Sequence, residues 1–243
     1  MSALGVGGPS FLAFGSGPNP IVAGPEAAVE SAGTGILNSR LYNSGQDCLC
    51  PDTVFVHRSI LDGLLVFLRD QLSAIPVMDR RDPGARVSRM VYPDAVEQAA
   101  GFIKENQGGI AFGGLVRTEE SLVEPTVIVA PFRGDFHPPE LFSPVFHLAV
   151  YDDGKQIRRW LDSPRERLSG MYASVYGEPE FAQDTVVGTS VIIREATTFD
   201  VEDGNQPFGG FGVQASSVRH RGRLVGRPLL LSHEVGRIPE ASA

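Results

Sequence analysis

Short apolar runs alternating with stretches of helical spacing set the pattern of this chain. Pro20-Ile-Val-Ala23 and Asp52-Thr-Val-Phe-Val-His57 read as buried strands, the second β-branched and aromatic. Between them, Pro25 stands where a first helical position tolerates it, and Glu26-Ala-Ala-Val-Glu-Ser-Ala opens a helix running toward Leu41. Ser59 is placed to cap a second helix, with Ile60, Leu64, Phe67 and Leu68 on one face. A polar loop from Pro76 to Arg86 follows. Pro93 then opens a third helix whose Ala95, Val96, Ala99, Phe102 and Ile103 form an apolar stripe, ended by Gly108-Gly109. Further strands are predicted over 110–116, 125–130, 145–150, 171–176 and 185–193, a helix over 155–168, and a final strand over 228–232. Helices alternating with short apolar strands predict an α/β fold: a mostly parallel twisted sheet with flanking helices. Residues 1–17 form a flexible or strand-like lead-in, 18–227 one domain, and 228–243 a strand and tail that offer an assembly edge.

Composition narrows the classes. Of 243 residues, 42% are hydrophobic and 21% charged, the usage of a globular chain long enough to bury a core without staples. A net charge of −8 excludes the clustered basic surface that nucleic acid or an anionic membrane requires. No apolar run reaches the ~18 residues of a membrane span, and the opening residues lack a basic, apolar leader, so a cytoplasmic protein is expected. Cys48 and Cys50 stand too close for an unstrained disulfide and lack partners at zinc-finger spacing, so reduced thiols and no metal are expected. His57, His137, His147, His220, His233 and Cys50 are expected to be packing or surface groups, and His220-Arg-Gly-Arg223 a solvated turn.

The chemistry concentrates in Asn43-Ser-Gly-Gln-Asp-Cys48, between a predicted helix and a predicted strand. A thiol at a glycine-containing elbow can be presented to a cleft, where backbone N–H groups stabilise a thiolate or an oxyanion. Asp47 acts against this by like-charge repulsion. The alternative is a cysteine packed as a small hydrophobe.

That segment, continued by Pro51-Asp-Thr-Val-Phe-Val-His-Arg-Ser-Ile60, resembles the nucleophile region of the aldehyde dehydrogenase superfamily. Pro125-Thr-Val127, Glu140-Leu-Phe-Ser-Pro-Val145, Ala173-Ser-Val-Tyr176, Phe199-Asp-Val201 and Gln206-Pro-Phe-Gly-Gly210 resemble further family motifs in the same order, with Ser143 replacing a glycine. The resemblance covers the family's catalytic half and C-terminal tail and implies that fold.

It implies Cys48 as nucleophile and backbone oxyanion donor, with Asn43, Gly45 and Gln46 in the catalytic turn. Glu140 and Phe142 match the residues that hold the nicotinamide riboside, and Phe199 and Phe208 lie where the substrate pocket is expected. The family's general-base glutamate falls on Ala13, whose methyl group accepts no proton. No Gly-x-Gly-x-x-Gly segment follows a strand, so NAD(P) is expected only if a partner chain supplies a nucleotide-binding domain. Without that domain, a solvated Glu140 and a core Phe142 are the favoured readings.

Three functions follow. The first is covalent capture of aldehyde or acyl substrates by Cys48 without autonomous NAD-dependent oxidation. The second is a non-catalytic pseudoenzyme or assembly protein of the same fold. The third is the catalytic half of a split NAD(P)-dependent enzyme. A homo-oligomer is expected, or a partner covering the face the nucleotide domain would occupy.

Overall fold

The computed structural model describes residues 10–78, 81–220 and 222–236. In chain order the elements are β1 (Phe11–Phe14), β2 (Ile21–Ala23), α1 (Val29–Leu41), β3 (Val54–His57), α2 (Leu61–Ser73), α3 (Pro93–Glu105), β4 (Ile110–Phe112), β5 (Val116–Arg117), β6 (Leu122–Val123), β7 (Thr126–Pro131), β8 (Val145–Tyr151), α4 (Gly154–Leu161), α5 (Glu166–Ser169), β9 (Tyr172–Tyr176), β10 (Val186–Val187), β11 (Ser190–Arg194), α6 (Thr198–Val201), β12 (Ser216–His220), β13 (Arg223–Gly226) and α7 (Leu231–Gly236). No described helix is long and apolar enough to cross a membrane.

The main sheet has eight strands in the order β10-β11-β9-β2-β3-β8-β7-β4. The six inner strands run parallel, and β10 and β4 close the two edges antiparallel. Strand alternation divides the core between two faces. Ile21, Ala23, Val54 and Val56 meet Ala32, Ile36 and Leu37 of α1 and Leu64 and Leu68 of α2 on one side. Val22, Phe55, Ala149 and Val175 meet Ile157, Trp160 and Leu161 of α4 on the other. Burying each such aliphatic side chain contributes roughly 1.5–3 kcal/mol, so the two-sided sheet is the principal source of stability. A smaller sheet, β1-β12-β13, lies apart from it: Phe11 to Phe14 pair antiparallel with Arg219 to Ser216.

Several expected elements are divided. The strand over 110–116 breaks at Gly113-Gly114, and the helix over 155–168 breaks at Ser163-Pro164, where proline removes a backbone donor. The strand over 185–193 folds into the β10–β11 hairpin at Gly188, whose φ is +59°. Ser59 does not cap α2. It lies in the turn before the helix, where the His57 ring accepts its backbone N–H. The strand expected over 228–232 is reduced to one antiparallel bridge, Phe208 to Leu229, after which α7 begins. The strand-like lead-in is β1; residues 1–9 and 237–243 lie outside the described residues.

Parallel strands send every strand-preceding loop to one edge of the sheet. The segments before β2, β3, β8 and β9 therefore share the amino-terminal edge; the first three carry Asn19, Cys48 and Glu140 on loops, and the fourth carries Glu166 at the start of α5.

Candidate functional site

The turn before Cys48 is left-handed at three successive residues: φ is 47° at Asn43, 59° at Ser44 and 80° at Gly45. For Asn and Ser this conformation costs of order 1 kcal/mol or more each, so the surroundings must impose it. They do so from three sides. Ser44 Oγ accepts the Ser88 N–H at 3.0 Å and shares a hydrogen bond with the Ser88 hydroxyl. Gln46 Oε1 accepts the Val91 N–H at 2.7 Å, and Gln46 Nε2 donates to the Asn43 carbonyl. A Cβ at Gly45 would meet the Ser143 carbonyl oxygen at 2.3 Å, so only glycine permits the approach of the Ser143-Pro144 segment.

Asn43, Gly45 and Gln46 thus build the turn. Asn43 Nδ2 donates to the Gln46 carbonyl, and both ends of the Gln46 amide are engaged, so both side chains are tied into the turn. Cys48 follows, exposed, while Cys50 is buried with its thiol directed at the Tyr42 carbonyl. Asn19 Nδ2 donates to the Cys48 carbonyl at 2.8 Å and to the Gly17 carbonyl at 3.1 Å, joining the Cys48 turn to the Ser16–Gly17 segment.

The electrostatics restrain the Cys48 thiol. Desolvation on its inner side and the Asp47 carboxylate raise it above the ordinary thiol value, Glu140 and Glu202 add to this, and the backbone N–H of Cys48 itself opposes. Burial pushes Cys50 up to about 11. Glu140 is half-buried, and burial raises its carboxyl above the usual carboxylate range while a hydrogen bond from the Ser16 side chain opposes.

Glu140 lines a cleft of about 430 Å³ with Ser16, Gly17, Asp52, His137, Arg165 and Glu166. His137 and Glu166 form a close pair through Nδ1 and Oε1, with the His137 ring stacked on Trp160. Glu166 Oε2 is buried without a hydrogen-bond partner. Beneath the cleft, Arg40 is almost wholly buried. It donates to the Pro51 and Leu141 carbonyls, while Asp52 Oδ1 accepts the Leu141 N–H. The residue after Glu140 is thereby fixed to the loop that carries Cys48. The sequence reading missed Arg40, His137 and Glu166. An arginine on a helix and a lone histidine carry no signal without their partners; only the topology joins them.

Phe199 and Phe208 both pack around the cluster containing Leu49, the neighbour of Cys48. The Phe199 ring packs at a tilt on Tyr42, centroids 4.5 Å apart, and Phe208 meets Tyr172 and Phe14. Phe142 is half-buried and packs against the apolar cluster beneath α3. Ala13 lies exposed on β1 opposite Ser217.

A dinucleotide's phosphates are ordinarily held by backbone N–H groups at a helix N-terminus. The first turns of α1, α2 and α3 carry Glu30, Asp62 and Asp94, and the Asp153 side chain caps α4 in a capping box. Where these helices leave the parallel strands, their starts lie at the edge opposite Cys48. These groups do not fit a pyrophosphate; among the described residues the half-buried Glu140 carboxyl offers an acceptor that suits a ribose hydroxyl. No group of three His, Cys, Asp or Glu among the described residues is arranged to hold a metal ion.

Comparison with known proteins agrees with this architecture. The chain is 22% identical over 198 residues to lactaldehyde dehydrogenase of Methanococcus aeolicus, covering 80% of this chain and 42% of that protein. It is 25% identical over 203 residues to betaine aldehyde dehydrogenase of Sinorhizobium fredii, covering 80% and 41%. The crystal structure of an aldehyde dehydrogenase from Brucella melitensis biovar abortus superposes with a TM-score of 0.72 at 19% identity, over 87% of this chain and 43% of that one. The chain thus spans less than half the length of these relatives, and the superposition shows an aldehyde dehydrogenase catalytic-domain-like fold. The model of the aldehyde dehydrogenase family matches residues 9–223, nearly the whole chain, and the chain belongs to that family.

Proposed function

We propose that this chain provides a cysteine nucleophile that captures aldehydes or activated acyl groups covalently, with no hydride-transfer step supplied by the described residues. The observation that carries the reading is the strained turn held from three sides, which ends at an exposed Cys48. A merely structural cysteine does not require three left-handed residues behind it.

In the capture step, the Cys48 thiol proton passes to solvent and the thiolate adds to a carbonyl carbon. A C–S bond forms, and the carbonyl π pair moves to oxygen. With an aldehyde, protonation of that oxygen gives a thiohemiacetal, and nothing is oxidised. With an activated ester, the oxyanion collapses, the C–O bond to the leaving group breaks, and a thioester remains. The backbone N–H of Cys48 is the donor at hand for the oxyanion.

The test uses p-nitrophenyl acetate. A burst of about one p-nitrophenol per chain is expected, with a single acetyl group located on Cys48 by peptide mass mapping. Equal acetylation of Cys48→Ala, or absence of any burst, overturns the reading. A second, non-catalytic reading is favoured by the acidic surroundings that raise the thiol. It predicts a native thiol no more reactive than the same residue in an unfolded peptide.

A further inference from the structure

We propose that the groove between α1 and the segment after β11 binds a small organic cation, a primary amine carrying an aromatic or apolar body. The groove measures about 600 Å³, and Cys48 does not line it. Glu30, Glu195 and Asp200 bring three carboxyl groups to it, and Tyr42 and Phe199 bring two rings. Among the described residues, no lysine or arginine lines it. The site stands whether or not Cys48 reacts.

Tyr176, the last residue of β9, is the observation that points to a ligand. It is only 2% exposed, yet its hydroxyl has no hydrogen-bond partner among the described residues. Unlike Glu166 Oε2, that oxygen is not sealed off. A Cβ on Gly35 would meet it at 2.3 Å and the Thr197 methyl at 3.2 Å, so the hydroxyl is directed between α1 and the start of α6, into the groove. Only glycine at position 35 leaves it room. A buried phenol ordinarily finds a partner, and a molecule in the groove supplies one.

Two carboxylates are anchored beside it. Glu195 Oε1 accepts the N–H of Gly177, the residue after Tyr176, at 2.8 Å. Asp200 Oδ2 accepts the Thr197 N–H at 2.8 Å and the Thr197 hydroxyl at 2.7 Å. Each keeps its second oxygen uncommitted among the described residues. Burial, with the Asp200 and Glu195 charges, pushes Tyr176 up to about 12, so the phenol stays neutral. An ammonium has three N–H donors, and the phenol oxygen and the two carboxylates are three acceptors for it. The Tyr42 and Phe199 rings, with Tyr42 54% exposed, offer an apolar wall to the rest of the molecule. Arg86 donates to Asn38 Oδ1 at 2.8 Å, and its charge beside Asn38, which also lines the groove, selects a monoamine over a polyamine.

The experiment is calorimetric titration of the full chain with 2-phenylethylamine, expected to show one site per chain. 2-Phenylethanol, which lacks the cation, and propylamine, which lacks the ring, are expected to bind at least about tenfold more weakly. Tyr176→Phe keeps the buried ring and removes only the hydroxyl, and Glu195→Gln changes an exposed charge. Each is expected to lower the affinity about tenfold or more while keeping the parent's thermal midpoint. Cys48→Ala binds the amine as the parent does, which separates this site from the capture reading. No binding to the parent at about 10 mM amine overturns the proposal. So does parental affinity in both Tyr176→Phe and Glu195→Gln, or equal binding of 2-phenylethanol. Loss of binding in Cys48→Ala also overturns it, because the amine then sits at the thiol.

Discussion

Arg40 and Asp52 stand 3.7 Å apart, nitrogen to oxygen, with side chains only 1% and 6% exposed. Burial raises the Asp52 carboxyl well above its ordinary range, and Arg40 opposes that rise. Removing the cation leaves a buried acid without its partner, whereas removing both charges does not. Arg40→Met is therefore expected to lower stability by about 3–5 kcal/mol in urea denaturation. Arg40→Met/Asp52→Asn recovers part of that loss, because asparagine still accepts the Leu141 N–H. Equal losses in the single and double variants would show that the side-chain hydrogen bonds of Arg40, not its charge, hold the loops.

Gly45→Ala places a methyl group against the Ser143 carbonyl at a φ of +80°. A loss of about 1–3 kcal/mol is expected, together with a slower burst, since the turn must shift and Cys48 moves with it. A variant with parental stability and burst rate would show that the turn can relax without consequence.

Asp47 is the strongest charge acting to raise the Cys48 thiol. Asp47→Asn keeps the acceptor for the Leu49 N–H and removes that charge. Iodoacetamide alkylation of Cys48 at pH 7–8 is expected to quicken by about two- to fivefold, with its pH midpoint moved downward. An unchanged midpoint would show that burial alone sets the thiol.

His147 is buried between Phe102 and Phe136, bonded to the Thr53 hydroxyl, and burial lowers it to about 4. Its ordinary value is 6.5. Between those two values the unfolded chain binds the extra proton, so stability falls as pH falls across the window. The loss is at most about 3 kcal/mol. His147→Gln should flatten this part of the urea-midpoint profile relative to the parent. Asp52, Glu140 and Glu166, raised in the folded state, contribute with the opposite sign and are common to both proteins.

The inner sheet was legible because its strands are short apolar runs with helices of correct period between them. Ile21–Ala23 and Val54–His57 fall within their expected runs, and α3 begins at Pro93 with its whole apolar stripe buried. Divisions were harder to read, because apolar content continues through them. Gly188 turns the chain where a side chain would strike the Leu161 carbonyl, a contact no local pattern announces. The leucines after Pro228 read as a strand by composition, but only Leu229 finds a partner. In the candidate site, the glycine-containing turn drew attention to Cys48, and its reading as a nucleophile came with the family resemblance. Arg40 on α1 became meaningful only when β8 brought Leu141 alongside.

The left-handed turn depends on partners the chain acquires late. Ser88 and Val91 follow it by more than forty residues, and Ser143 lies much further on. A ribosome therefore releases Cys48 well before the groups that shape its surroundings exist. During that interval the thiol behaves as one in a floppy peptide. Its distinctive character is conferred by completion of β8, so fragments ending before Ser143 should carry the cysteine without its chemistry.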